Sequence, residues 1–72
     1  MSREVPIRGT TIRLGQLLKL ADVVGGGGEV KAFLAATEVL VNGEPDNRRG
    51  RQLHPGDLVA VAGEELRLTP AR

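Results

Sequence analysis

Cysteine is absent from the 72-residue sequence, and aromatic side chains are almost absent. Without cysteine, the chain cannot form disulfide bonds, thiolate metal sites or a cysteine nucleophile, and its composition suits a reducing cytosol. Phe33 is the single aromatic residue, so the chain lacks the rings on which many nucleic-acid-binding modules stack bases. Any nucleic acid bound here would be recognised through phosphates, 2′-hydroxyl groups and shape.

Long apolar runs and a charge excess are missing too. No segment approaches the roughly 20 apolar residues that span a bilayer, and residues 1–15 contain no signal-peptide apolar region. We therefore expect a cytoplasmic protein with no membrane partner. The formal net charge is only +1, from 10 basic and 9 acidic residues, so any basic surface must come from the arrangement of the charges. The length predicts one small domain, residues 1–72.

Catalytic and metal-binding groups are also scarce. His54 is the only histidine, and the only serine is Ser2 at the N-terminus, so no Ser-His-Asp or Cys-His set can be assembled. No His, Asp or Glu residues converge at metal-ligand spacing. We expect His54 to be a turn residue before Pro55-Gly56. The sequence predicts neither an enzyme nor a cofactor, and no small-molecule substrate.

Two helical patterns follow a weak edge strand at residues 3–8. The first begins near Arg13, with Thr11 as a candidate N-cap, and its apolar positions recur at helical spacing: Leu14, Leu17, Leu18 and Ala21. Gly25 to Gly28 are expected to end this helix. The second pattern has its own apolar stripe, formed by Val30, Phe33, Leu34 and Thr37. The short connection predicts a compact helix pair.

After Glu38 the pattern becomes that of β-strands. Val39-Leu40-Val41 is followed by Asn42-Gly43, which is the strongest short hairpin signal. Residues 58–62 and 65–69 predict two further strands. The order predicts an α+β fold, in which a two-helix hairpin packs on one face of a small antiparallel β-sheet.

Three arginines lie within four residues between these strands: Arg48, Arg49 and Arg51. Guanidinium groups on a stiff β framework match phosphate oxygens, whereas the alternative is a solvated loop whose charges are offset by Glu44 and Asp46. Lys19 and Lys31 each flank the apolar stripe of their helix. They could face the same side as the arginines, or they could be ordinary surface lysines.

The glycine run does not have the pattern of a nucleotide-binding loop, because no strand precedes it and no Lys-Ser/Thr pair follows it. A weaker expectation concerns the backbone N–H groups of Gly27 and Gly28. They open the second helix, where such groups attract anions, so a phosphate contact is possible there. A flexible helix connector is the simpler reading.

Over residues 11–63 the chain resembles the ribosomal protein S4-like RNA-binding domain, and it is most similar to small stand-alone bacterial members. The resemblance is carried by four segments: Ile12-Arg13-Leu14-Gly15-Gln16-Leu17-Leu18-Lys19, Gly27-Gly28 through Val30-Lys31, Val39-Leu40-Val41-Asn42-Gly43-Glu44, and Arg48-Arg49-Gly50-Arg51 with Leu53, Pro55-Gly56-Asp57 and Leu58-Val59.

This resemblance implies a helix pair and an adjoining β-loop that dock on structured RNA, typically ribosomal or transfer RNA, with roles in ribosome assembly or translation. It implies phosphate contacts from the helices at Lys19 and Lys31, and contacts from the loop at Arg48, Arg49 and Arg51. Asn42-Gly43 would fix the register of the loop.

Two other functions remain open from the residues. One is a β-grasp sulfur-carrier or ubiquitin-like protein, which shares the hairpin and the Pro-Gly turn but has a single helix and needs a C-terminal Gly-Gly, where this chain reads Ala71-Arg72. The other is a protein-interaction domain that uses its apolar helix faces. A large exposed Leu/Val patch would favour it.

Overall fold

A five-stranded sheet and two helices form the frame of the protein. The computed structural model describes residues 2–25 and 28–71. The helices are α1 (Leu14–Leu20) and α2 (Glu29–Ala36). The strands are β1 (Ser2–Ile7), β2 (Ile12–Arg13), β3 (Val39–Val41), β4 (Glu44–Pro45), β5 (Gln52–Leu53), β6 (Leu58–Val61) and β7 (Glu64–Pro70). This is an α+β architecture, as the sequence predicts.

The main sheet has the strand order β1-β7-β6-β3-β4, and β2 and β5 form a separate two-stranded sheet. All pairs are antiparallel except β1 with β7, which are parallel. The sheet is therefore mostly antiparallel, and the prediction of a small antiparallel sheet is wrong only at the β1–β7 edge. The position of Pro6 in the edge strand β1 fits the prediction, since proline has no backbone N–H to donate to a neighbouring strand.

Buried and more exposed residues alternate along the central strands, and the buried ones form the core. In β6 and β7, Val59, Val61, Leu66 and Leu68 are buried, while the residues between them are more exposed. These side chains join one cluster with those of the helices, and Leu14, Leu17 and Leu18 are fully buried within it. The apolar stripe of the first predicted helix is thus confirmed as core.

The first helix is shorter than its pattern suggests. It begins after Arg13 rather than at a Thr11 cap, because Ile12 and Arg13 pair with Leu53 and Gln52 as β2 and β5. It ends at Leu20, before the glycine run. Asp22 there adopts a positive φ of 61°, and the amides of Val23 and Val24 return to the carbonyl of Leu18.

The predicted hairpin is present as β3 and β4. Asn42 and Gly43 both have positive φ, 51° and 87°, which is the backbone geometry that Asn-Gly turns favour. Two helices precede this hairpin, so the single-helix β-grasp fold is excluded. In the part of the chain that the structure describes, no helix is long and apolar enough to cross a membrane.

Candidate nucleic-acid interface

The segment from Asp46 to Arg51, here called the arginine loop, closes over the start of α1. The backbone amide of Leu14 donates to the carbonyl of Arg51 at 2.8 Å, and that of Gly15 donates to the carbonyl of Arg49 at 2.9 Å. The first amides of a helix lack partners within the helix. The arginine loop therefore supplies two of these partners and is fixed against α1.

Asp46 holds two of the three arginines. Its Oδ2 accepts from Arg48 Nη2 at 2.8 Å and from Arg51 Nη1 at 2.7 Å, and its Oδ1 accepts from Arg48 Nε at 3.1 Å. The Asp46 side chain is only 6% exposed. The Arg48 guanidinium, through these hydrogen bonds, holds the pKa of the Asp46 carboxyl well below its usual range, despite an opposing effect of burial. The same contact raises the pKa of Arg48.

Arg49 differs from its neighbours in the loop. Its side chain is exposed, and within residues 2–25 and 28–71 it has no acidic partner. It borders a groove of about 300 Å³ beside α1 that is also lined by Arg13, Gln16 and Lys19. This α1 groove brings together three cations, one each from β2, α1 and the arginine loop.

A second groove lies beside α2 and also has Arg49 in its lining. It measures about 370 Å³ and is lined by Lys31, Leu34, Ala35 and Asn47 together with Arg49. Because Arg49 lines both this α2 groove and the α1 groove, Lys19 and Lys31 flank it from the two helices. The structure therefore places Lys19 and Lys31 on two grooves that share Arg49, whereas Arg48 and Arg51 form ion pairs with Asp46.

Close approach of the two helices and the loop depends on Gly15. A Cβ at this position would lie 3.2 Å from Val30 Cγ1 and 3.4 Å from Arg49 Cβ and the Arg49 carbonyl oxygen. Any side chain larger than hydrogen would press against both α2 and the arginine loop. Gly15 thus sets the spacing at which Lys19, Val30 and Arg49 meet.

Side-chain hydrogen bonds join the Asn42-Gly43 turn to the turn at residues 54–57. Asn42 accepts a hydrogen bond from the amide of Leu58 at 2.9 Å and donates to Asp57 Oδ1 at 3.2 Å. Asp57 Oδ2 accepts from the amide of His54 at 2.7 Å. Burial would raise the pKa of Asp57, but these hydrogen bonds lower it on balance. His54 lies in the turn before Pro55-Gly56, as predicted, with its side chain exposed.

Of the two glycines predicted to contact phosphate at the second helix, one lies within the described residues. Gly27 lies outside the described residues, whereas Gly28 is the N-cap of α2 with φ −74° and ψ −15°. Glu29 follows in the first turn of the helix, where its carboxylate already complements the helix dipole. The contact at Gly27 and Gly28 stays a prediction.

Three residues of this surface were not among the sequence-based candidates: Arg13, Gln16 and Asn47. Arg13 reads as the start of a helix, but it lies in β2 and reaches the α1 groove beside Lys19. From the sequence, Asp46 is predicted only to offset the charges of nearby arginines. One signal was available, since Asp46 precedes the cluster by two residues, the spacing at which a carboxylate bonds its own backbone.

Comparisons with known proteins identify the family of the chain. The family model described as S4 domain matches residues 5–69. The probable ribosome maturation protein RlbA of Bacillus subtilis (strain 168) is 56% identical over 63 residues, which cover 88% of this chain and 89% of that protein. With a family match across nearly the whole sequence and a relative this similar, the chain belongs to the S4 domain family.

Proposed function

We propose that this chain is an RNA-binding module that recognises structured RNA through phosphate and shape contacts. The observation that carries the proposal is the meeting of Arg13, Lys19 and Lys31 around Arg49, which has no acidic partner in the described part of the chain. Unpaired cations on a fixed framework release counterions when they contact phosphates, and this release drives such binding. The helix pair and the arginine loop act together as one docking unit within residues 1–72.

Arg49, Lys19 and Lys31 are the proposed direct contacts, and Arg13 adds a fourth cation. Arg48 is 70% exposed in its side chain but is held by Asp46, as is Arg51. Grooves without aromatic rings suit phosphates and riboses better than stacked bases. The backbone amide of Gly28 is a further candidate phosphate contact.

The name of the Bacillus relative points to ribosome maturation, so ribosomal RNA is the proposed target class and the cytoplasm the proposed place of action. Transfer RNA is the alternative target. Crosslinking in cells, followed by sequencing of the bound RNA, distinguishes the two. Recovery of no discrete RNA would contradict the proposal and favour a protein partner.

A protein-interaction function through the helix faces has little support. The larger apolar side chains of both helices are buried, except for the half-buried Phe33 and for Leu20, which at 55% is the one exposed large hydrophobic residue among the described residues. A single exposed leucine does not form the contiguous patch that protein interfaces need.

Filter binding across a salt series tests the RNA-binding surface. If roughly four phosphates are contacted, affinity for a ribosomal RNA hairpin should fall about 150-fold between about 50 and about 200 mM salt. Arg49→Ala should weaken binding several-fold and reduce the salt slope by about one contact. Arg67→Ala is the matched control, because Arg67 is exposed between the buried Leu66 and Leu68 and points away from the helices. Equal losses in the two variants would contradict the proposed surface.

A further inference from the structure

An acidic residue lies at the centre of the proposed RNA-binding loop. Besides the three bonds from arginine side chains, Asp46 Oδ1 accepts the backbone amide of Arg48 at 2.9 Å. Four hydrogen bonds therefore converge on a carboxylate that is 6% exposed. Such a carboxylate has its acceptor sites filled and cannot swing away cheaply, because its arginine partners would lose their bonds.

Asp46 also joins the sheet to the first helix. Its own amide donates to the carbonyl of Val39 in β3 at 2.9 Å. Arg51, which it binds, gives its carbonyl to the amide of Leu14, and Arg51 N donates to the carbonyl of Arg48 at 3.1 Å. The chain of contacts therefore runs from β3 through Asp46 and the paired arginines to the start of α1.

Arg49 lies between the two paired arginines in sequence, and its position follows from theirs. Its carbonyl is bound by Gly15, so its backbone is held against α1 on one side and by the Asp46 cluster on the other. This leaves the Arg49 side chain between the α1 groove and the α2 groove. A side chain that is already held in its binding position loses less conformational entropy when it binds.

We propose that Asp46 is a positioning residue for RNA binding, and that it acts through Arg48 and Arg51 to present Arg49 to the RNA. The inference rests on the proposed function and adds a residue of the opposite charge to its machinery. In this assignment Arg48 and Arg51 serve the shape of the loop, while Arg49, Lys19 and Lys31 meet the phosphates.

Whether one substitution strengthens or weakens RNA binding distinguishes a positioning role of Asp46 from a purely electrostatic one. Asp46→Asn removes a negative charge beside a surface that binds a polyanion, so electrostatics alone would tighten binding. Loss of the positioning contacts would weaken it. Glu44→Gln is the matched control: it removes the same charge two residues away, and in the described part of the chain Glu44 makes no ion pair.

We expect Asp46→Asn to weaken binding to a ribosomal RNA hairpin by about 3- to 10-fold, as for the net loss of one ordinary hydrogen bond, while Glu44→Gln binds as tightly as the wild type or slightly more tightly. Circular dichroism before each titration establishes that the variants are folded. Asp46→Asn binding as tightly as Glu44→Gln would overturn the positioning role.

A double-mutant cycle with Arg49→Ala tests the route of the effect. If Asp46 acts through Arg49, the loss caused by Asp46→Asn should largely disappear in the Arg49→Ala background, since coupled residues are not additive. A general weakening of the fold would instead add to the Arg49 loss. Full additivity would therefore overturn the proposal.

Arg48→Ala provides a second cycle should Asp46→Asn fail to fold, because the Arg48 side chain is largely exposed. Its loss should also be non-additive with Arg49→Ala; additivity would make Arg48 a direct contact and overturn its positioning role. The proposed function is read separately, from the wild type in about 50 mM salt. Absence of wild-type binding there would contradict RNA binding itself, whereas wild-type binding with additive variants would contradict only the positioning role.

Discussion

At the scale of single residues, the three arginines of one loop have different contacts. Arg48 and Arg51 share the carboxylate of Asp46, whereas Arg49 lines two grooves. A count of positive charges treats the three as equivalent. Their separation into paired and unpaired groups follows from the burial of Asp46, since a buried carboxylate must find hydrogen-bond donors.

The depressed pKa of Asp46 makes a prediction about stability and pH. Because the folded pKa lies below the usual unfolded value of about 3.9, the stabilisation from Asp46 is fully present above that value and is lost as the pH falls towards the folded pKa. The difference in free energy of unfolding between the wild type and Asp46→Asn should be constant from about pH 7 to pH 5 and shrink progressively below about pH 4. Urea unfolding at a series of pH values measures it.

Glu44→Gln serves as the control for this pH series, because Glu44 is exposed and makes no ion pair within the described residues. Its difference from the wild type should stay small throughout. A gap for Asp46→Asn that keeps its full size in strong acid would show that the carboxylate is not the source of the stabilisation.

Asn42 has a positive φ and makes two side-chain hydrogen bonds. Asn42→Ala removes the bonds to Leu58 and Asp57 and places alanine at a φ of 51°, so we expect the free energy of unfolding to fall by about 1–2 kcal/mol. Asn42→Gly removes the same bonds but tolerates the backbone angle, and it should cost less. Chemical denaturation of both variants measures the difference. Equal losses would show that the backbone angle contributes nothing.

At the scale of elements, the helices and the hairpin could be predicted because each has a local signal. The leucines of α1 recur at helical spacing, and Asn42-Gly43 marks the β3–β4 turn. The strands β2 and β5 carry no such signal, since each has two residues. They exist because Ile12 and Leu53 meet across the fold, and this pairing moves the start of α1 to Leu14.

The meeting of α1, α2 and the arginine loop predicts that Gly15 tolerates no larger side chain. Gly15→Val should lower the free energy of unfolding by about 1–3 kcal/mol, because the added methyl groups enter space held by Val30 and Arg49. It should also weaken RNA binding by displacing Arg49. Thermal unfolding and filter binding check the two effects.

Gly50→Ala is the control in the same loop. A Cβ at Gly50 would have no heavy atom within 4 Å among those considered, so stability should change by less than about 0.5 kcal/mol. If Gly15→Val were as stable as Gly50→Ala, the close approach of the helices and the loop would not be a constraint.

At the scale of the whole molecule, the proposed surface exists only when the chain is folded. Arg13, Lys19, Lys31 and Arg49 come from four segments that meet around the arginine loop. RNA should therefore bind the folded state and raise its stability. At an RNA concentration of about 100 times the Kd, we expect roughly 2.7 kcal/mol of added stability, seen as a higher Tm.

The same melt in about 1 M salt is the control, because screening and counterion release weaken phosphate contacts. The increase in Tm should disappear there and should be smaller for Arg49→Ala than for Arg67→Ala. An increase that survives high salt would point to a largely non-electrostatic mode of binding.

The sequence by itself determined the elements with local periodicity, the hairpin turn, the absence of cysteine and base-stacking rings, and the family to which the chain belongs. Only the tertiary structure decided that β1 runs parallel to β7, that Asp46 binds two arginines, and that Arg13 joins Lys19 beside Arg49. The physical reason is the separation along the chain of the residues that interact. Helix and turn signals depend on residues a few positions apart, whereas ion pairs and grooves depend on distances between segments, which are fixed only when the sheet, the helices and the loop pack together.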